Sequence, residues 1–298
     1  MSKEITNQAT NKINIVGKLL DKSFAEGTMK NGNKYERANI TVRVTQTYDG
    51  ITETSEIPVS MFASPYTSRG TANPAWENLQ NLKNMKSVQE VGEVEATTVR
   101  MTNANIQENN FVSRNSGQLI NGWQIRNSFI NEGKTADIAS FNIDVFIMDM
   151  RDEVDREGDP TGRLIIKGGI IQYGGKLDVV EFIVESQDKV NYIQRNWNID
   201  DTVNIGGRIR VTSQEEKRSA SESSWGEEIP ETSTRMVREL IVTRGSDEPF
   251  DDDFSYDRND IRKALNVRKA TLEQLQMDAK KGTSSTKTAP SGSKYDWE

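Results

Sequence analysis

A chain of 298 residues is longer than a usual single domain, so two domains and an appendage are expected before any pattern is read. It contains neither cysteine nor histidine, which excludes disulfides, thiolate or imidazole metal sites, a cysteine nucleophile and a histidine triad, and leaves only oxygen-ligand cations such as Mg²⁺ or Ca²⁺ open. The net charge of -7 runs against phosphate binding, but the stretch from Asp247 to Asp260 holds seven acidic residues against one basic residue, Arg258, and leaves the rest of the chain near balance.

No apolar run approaches the roughly 20 residues of a membrane helix, and the polar start from Met1 to Asn11 has no hydrophobic signal core. A soluble, unexported, cytoplasmic protein is expected.

The first predicted strand starts at Ile13 and runs through Gly17-Lys18-Leu19-Leu20 to a polar loop at Lys30-Asn31-Gly32-Asn33-Lys34. From Arg37 to Val44, Ala38, Ile40, Val42 and Val44 alternate with Arg37, Asn39, Thr41 and Arg43, the period of a strand with one buried face. The next strand places Ile57, Val59 and Met61 inward and Phe62 outward beside the outward arginines. An exposed ring at that place can stack bases, and stacking tolerates any sequence; it can equally be covered by the loop or helix that follows. That loop, Ala63 to Pro74, is polar and carries Tyr66 and Arg69. Trp76, Leu79, Leu82 and Met85 then recur at three-residue spacing, which makes an apolar stripe on a short helix that plugs a core. A strand from Val94 to Met101 with Arg100 outward closes the unit, followed by a polar loop from Asn103 to Gly122 with Phe111 and Arg114, and by Trp123 and Arg126 on the next strand.

The pattern repeats. Phe141 opens the second copy, Gly158-Asp159-Pro160-Thr161-Gly162 makes the loop, and strands follow at Arg163 to Ile171, with Lys167, and at Leu177 to Val184. Tyr173-Gly174-Gly175-Lys176 reads as a tight hairpin whose end residues are placed to touch a ligand. Val190, Ile193 and Trp197 form the second helix stripe, with Trp197 read as core, and Ile209 and Val211 alternate with Arg208 and Arg210 on the closing strand. Those arginines either track phosphates or keep the face wet. Three strands, a helix and two strands is the order of an OB barrel, a fold much used for single-stranded nucleic acid. The expected fold class is therefore all-β, with a first OB barrel over residues 1–132, a second over 133–245, and a C-terminal appendage over 246–298.

A second long loop, Thr212 to Thr234, with Lys217, Arg218 and Trp225, joins two convincing strands. Loops of this length in a compact domain are usually functional or disordered. The appendage begins with the acidic segment Asp247, Glu248, Pro249, Phe250, Asp251, Asp252, Asp253 and Phe254, which is a candidate for partner binding. Arg258 to Lys281 reads as an amphipathic helix with Ile261, Leu265, Leu272 and Leu275 on one face, either packing back on the second barrel or binding a partner. The stretch from Thr283 to Glu298 is too polar to fold alone.

Several chemistries fail on spacing. Gly168-Gly169 to Gly174-Gly175-Lys176 lacks the order of a phosphate loop, with Leu177 where its Ser or Thr belongs. The acidic run Asp149, Asp152, Glu153, Asp155, Glu157, Asp159 does not match an EF-hand, and no serine sits in a Gly-x-Ser-x-Gly elbow. Neither a cofactor nor enzyme activity is expected.

Asn14-Ile15-Val16-Gly17-Lys18-Leu19-Leu20, the loop Thr28-Met29-Lys30-Asn31-Gly32-Asn33 and the strand Tyr35 to Val42 resemble the first two strands of single-stranded DNA-binding proteins of the bacterial and bacteriophage type. The layout, two barrels followed by Val237 to Val242 and Ser246-Asp247-Glu248-Pro249-Phe250, is similar to a phage protein of that class. The resemblance implies sequence-tolerant binding of single-stranded DNA in replication or recombination, without a cofactor, and an acidic tail that recruits replication proteins or competes with DNA. The chain departs from the bacterial pattern in carrying two barrels and an internal acidic element. The expected groove combines Lys18, Lys30, Lys34, Arg37, Arg43, Arg69, Arg100, Arg126, Lys167, Lys176, Arg208 and Arg210 against phosphates with Tyr35, Phe62, Tyr66, Trp123 and Tyr173 against bases. Two rivals remain open: a structural or adaptor protein using its barrels for protein contacts, and a carboxylate-metal nuclease. One fold hosts many functions.

Overall fold

The computed structural model describes residues 8–284 apart from 30, 114, 115, 135, 156 and 218–231. Lys30, Arg114, Arg218, Trp225 and the stretch from 285 to 298 lie outside the described residues, as does the side chain of Lys217.

The first half contains β1 (Asn11–Thr28), β2 (Lys34–Tyr48), β3 (Ile51–Ala63), helices α1 (Pro74–Asn84) and α2 (Val88–Val91), β4 (Thr98–Glu108), a small ribbon of β5 (Phe111–Val112) and β6 (Leu119–Ile120), then β7 (Trp123–Asn127) and β8 (Asn131–Glu132). The second half contains β9 (Ile138–Val154), β10 (Pro160–Ile171), β11 (Leu177–Val184), helix α3 (Gln187–Asn196), β12 (Thr202–Lys217), β13 (Thr232–Gly245) and helix α4 (Arg258–Ser284). The protein is mostly β, and apart from the ribbon its strands pair into one large sheet.

That sheet returns on itself twice. β1 pairs with β2, β2 with β3, β3 with β7 in parallel, β7 with β4, and β4 with β1 again. In the second half β9, β10, β11, β13 and β12 make the same circuit, with β11 and β13 parallel. Each first strand serves two partners because it bends: register shifts fall at Leu19/Asp21 in β1 and between Lys167 and Gly168 opposite β9, and such bulges are how a strand turns a corner. The circuits share an edge, since Asn11 to Val16 of β1 run antiparallel to Ile143 to Ile138 of β9.

The alternation read from sequence sets the core. Ala38, Ile40, Val42 and Val44 face Ile57, Val59 and Met61 inside the first circuit, and Leu79 and Leu82 of α1 are fully buried with them. Asn73 caps α1 by accepting from the Ala75 N–H at 3.1 Å, with Pro74 in the first turn where its missing N–H costs nothing. Trp197, 3% exposed, is core in the second circuit with Val190 and Ile193. One apolar cluster runs through both circuits by way of Phe141, Ile143 and Val145 of β9.

Polar groups pin the junction. The Asn11 side-chain amide donates to the Ile106 carbonyl at 2.8 Å while its oxygen accepts from the Ile106 N–H at 3.0 Å, and Gln172 donates to the same carbonyl at 2.9 Å. Buried amides matched this way cost little, whereas a lone one is expensive.

Two expected loops are shorter than the sequence suggested. β4 continues through Asn103 to Glu108, and β12 and β13 extend to Lys217 and from Thr232, so much of both regions is strand. In β4 Ala104 and Ile106 still turn into the core, but the polar Asn103, Asn105 and Gln107 around them make the stretch look like loop. The acidic run after Asp149 is the β9–β10 hairpin: Asp155 Oδ1 accepts from the Asp159 N–H at 2.8 Å, Arg151 pairs with Asp149 and Glu181, and no cluster among the described residues is placed to hold a metal.

α4 packs back on the body. Ile261 is buried, Leu265 packs against the core, and Arg268 reaches Glu108 at 2.6 Å. No described helix is long and apolar enough to cross a membrane.

Candidate functional site

Register decides which side chains meet on the outer face of β1, β2 and β3. Arg37 lies opposite Phe62, and Tyr35, two residues back on β2, shares its face and lies opposite Gly27. The Tyr35 and Phe62 ring centroids are 5.3 Å apart, with the Arg37 guanidinium carbon 5.2 Å from the first and 6.0 Å from the second. Phe62 remains 47% exposed, so the loop after β3 does not cover it. Gly27 makes room for this arrangement, because a Cβ there would sit 2.4 Å from the Tyr35 ring. Two aromatic faces with a cation between them form a surface on which planar, anionic ligands can stack and pair.

The next row across the face is polar. Asn39 faces Ser60, whose hydroxyl donates to the Asn39 side-chain oxygen at 3.0 Å, and Ser60 lies beside Arg126 across the parallel β3–β7 pairing. The Gln124 side-chain carbonyl, oriented by its neighbours, accepts from two Arg126 nitrogens at 2.9 and 3.0 Å and fixes that guanidinium. Neither Arg37 nor Arg126 has a carboxylate partner among the described residues.

The other candidate residues of the first half scatter. Lys34 begins β2, exposed, opposite Thr28, and Arg100 is exposed on β4 opposite Asn131. Tyr66 and Arg69 lie in the loop that leaves β3 after Phe62, a turn held by Thr67 and Thr71, with Tyr66 well exposed. Lys18 turns to the Ala96 carbonyl at 2.9 Å, and Arg43 is spent on Glu56 and Glu93 at 3.1 and 2.8 Å.

In the second half, Arg208 and Arg210 do not form a free cationic face. Arg208 pairs with Glu53 and Glu185, and Arg210 with Glu185 and Glu239, both at 2.6 Å; Arg163 bridges Glu239 and Glu153. Four glutamates surround three arginines, so the cluster has no positive charge to spare. The arginines are only 12% and 19% exposed at their side chains. Loss of water would lower the pKa of Arg210, but Glu239 and Glu185 override it and raise it. The same pairing outweighs burial at Glu239 and holds its carboxyl below the ordinary value. Because Glu53 comes from the β2–β3 hairpin, the cluster ties the two circuits together, and Arg208 also lies 4.6 Å from the Tyr48 ring centroid. The glutamates escaped the sequence reading because the pairs form only across strands, as with Arg210 opposite Glu239.

Tyr173 and Lys176 occupy the β10–β11 turn, where Gly174 and Gly175 take φ of 75° and 76°. Tyr173 is 88% exposed; Lys176 is held by the buried Asp178 at 2.7 Å. Trp123 and Lys167 line a cleft between the circuits. The acidic segment is fastened down: the Phe250 N–H donates to the Thr202 carbonyl at 2.8 Å and the Tyr192 hydroxyl to the Asp247 carbonyl at 2.6 Å, which leaves Phe254 as its exposed ring.

Fold and site together define a mostly β protein whose sheet closes twice and whose first half presents an aromatic and cationic face. The chain belongs to the YorF family, whose profile matches residues 9–278. Its fold is similar to that in the crystal structure of the wild-type single-stranded DNA binding protein from Thermus aquaticus, at TM-score 0.51 and 9% identity over 82% of this chain and 95% of that one. A deletion mutant of that Thermus aquaticus protein matches at TM-score 0.50 and 9% identity, over 82% of this chain and 96% of its own. No curated protein matches the chain.

Proposed function

We propose that the protein binds single-stranded DNA without sequence preference, on the outer face of β1, β2, β3 and β7. The observation that carries this is the Tyr35, Arg37 and Phe62 cluster, two half-open rings and an unpaired guanidinium, continued by the fixed Arg126. Rings supply stacking that any base satisfies, and unpaired arginines supply phosphate contacts. The fold shared with the Thermus aquaticus protein supports reading each strand circuit as an OB barrel, over residues 1–132 and 133–245, with 246–298 as the appendage. In this reading the protein protects single strands during phage replication or recombination in the cytoplasm of the host, acts without catalysis or cofactor, and offers its acidic segment to replication proteins.

The test is fluorescence anisotropy of a labelled mixed-sequence oligonucleotide of about 30 bases, with duplex of the same sequence alongside, at low and moderate salt. The expected result is salt-sensitive binding to the single strand, clearly tighter than to duplex. Absence of binding at low salt would overturn the proposal.

A further inference from the structure

The two circuits are joined along β1 and β9, and residues of both also line a cleft of about 620 Å³. Trp123 lines it from the first circuit, Lys167, Met236 and Arg238 from the second, and Arg268 and Leu272 of α4 close one side. Its charges can be counted. Glu181 of the lining is neutralised by Arg151, Glu239 by Arg163 and Arg210, and Arg268 by Glu108, so each of these already has its counterion. Lys167 and Arg238 have no carboxylate partner among the described residues. Lys167 and Arg238 are therefore the lining cations that no carboxylate holds, on a wall that also contains an indole and the half-exposed Met236. Arg238 keeps an exposed surface and still loses enough of its water to lower its pKa, a solvation deficit that an anionic ligand would relieve.

An indole beside two unspent cations suits one chemistry, a stacked base with its flanking phosphates. Trp123 begins β7, the strand whose opposite face presents Arg126 to the site described above, so β7 separates the two surfaces by its own thickness. We propose that this cleft holds a second stretch of the strand seated on Tyr35 and Phe62, with Lys167 and Arg238 on phosphates and Trp123 against a base. This rests on the proposed function and adds to it a path between the circuits, on which the sequence reading had placed Trp123 and Lys167 but not Arg238.

The experiment titrates the full chain with a labelled oligonucleotide of about 30 bases over a range of salt, comparing the parent with Lys167→Gln/Arg238→Gln, Lys167→Arg/Arg238→Lys and Tyr35→Ala/Phe62→Ala. The glutamine pair is expected to weaken binding on the order of tenfold and to flatten the slope of log affinity against log salt by about 1.4, that is about 0.7 per phosphate contact on a single strand. The charge-keeping pair is expected to retain the parental slope. If the glutamine pair binds with parental affinity and slope while Tyr35→Ala/Phe62→Ala binds weakly, the cleft assignment is overturned and the proposed function stands. Equal loss in the glutamine and charge-keeping pairs also overturns it, since charge is then not what the site supplies. If the parent itself binds no single strand, the underlying reading falls with it.

Discussion

The outer face of the first circuit and the closing strands of the second carry the same residue type in the same alternation, and the structure uses them oppositely. Arg37 and Arg126 stand among rings, hydroxyls and amides and keep their charge available. Arg208 and Arg210 stand among Glu53, Glu185 and Glu239 and are consumed holding the circuits together. An arginine projecting from a strand is thus not a phosphate contact by virtue of its spacing; the neighbouring strand decides. What separates the two regions is the cross-strand partner, Phe62 for Arg37 and Glu239 for Arg210.

This contrast can be broken by exchanging what each region lacks. The largest effect is expected from Tyr35→Ala/Phe62→Ala. Loss of both rings should weaken single-strand binding by one to two orders of magnitude, since stacking is worth ~1–3 kcal/mol per base, with little change in the denaturant midpoint because Phe62 is half open to solvent. Glu185→Gln, outside the cleft, should do the reverse. Leaving Arg208 and Arg210 short of a carboxylate should cost about 1–3 kcal/mol of stability in urea denaturation, with DNA affinity held. A loss of affinity in that variant would erase the distinction.

Gly27→Ala sharpens the comparison without touching a polar group, because the added Cβ meets the Tyr35 ring and must displace it; binding should weaken while the salt slope is kept. Arg126→Gln should flatten that slope by about 0.7, and Arg208→Gln should leave it unchanged. The smallest effect concerns pH. With the Glu239 pKa held below its ordinary value of 4.5, its contribution to stability is complete above that value in the unfolded chain and is lost as pH falls through the lower folded value. Acid titration of the denaturant midpoint should therefore show a step below about pH 4.5 in the parent that Glu239→Gln lacks.

Much of the frame was legible because it is written in periodicity. The inward row Ala38, Ile40, Val42 and Val44, the stripe Leu79 and Leu82, and the core position of Trp197 follow from burying one face of a strand or helix. Asp49-Gly50, with both residues at positive φ in the turn between β2 and β3, is a hairpin signal that the sequence reading did not use. Strand ends rich in polar residues were hidden: from Asn103 to Glu108 only Ala104 and Ile106 turn into the core, and the polar residues around them look like loop. The shared edge of β1 and β9 was hidden too, since backbone pairing at an edge leaves no mark on side-chain alternation. In the site, Phe62 and Arg37 could be placed outward, but their contact with Tyr35 needed the register across β1, β2 and β3, and the capture of Arg208 and Arg210 needed residues far away in sequence.

The most direct test of where the strand sits is photo-crosslinking of the parent protein to single-stranded oligonucleotides carrying 5-iododeoxyuridine, followed by mass spectrometry of the crosslinked peptides. Crosslinks at Tyr35 or Phe62, with none at the peptides holding Arg208 and Arg210, are the predicted result. Crosslinks confined to the closing strands of the second circuit, with Tyr35 and Phe62 untouched, would contradict the assignment of the first face as the site.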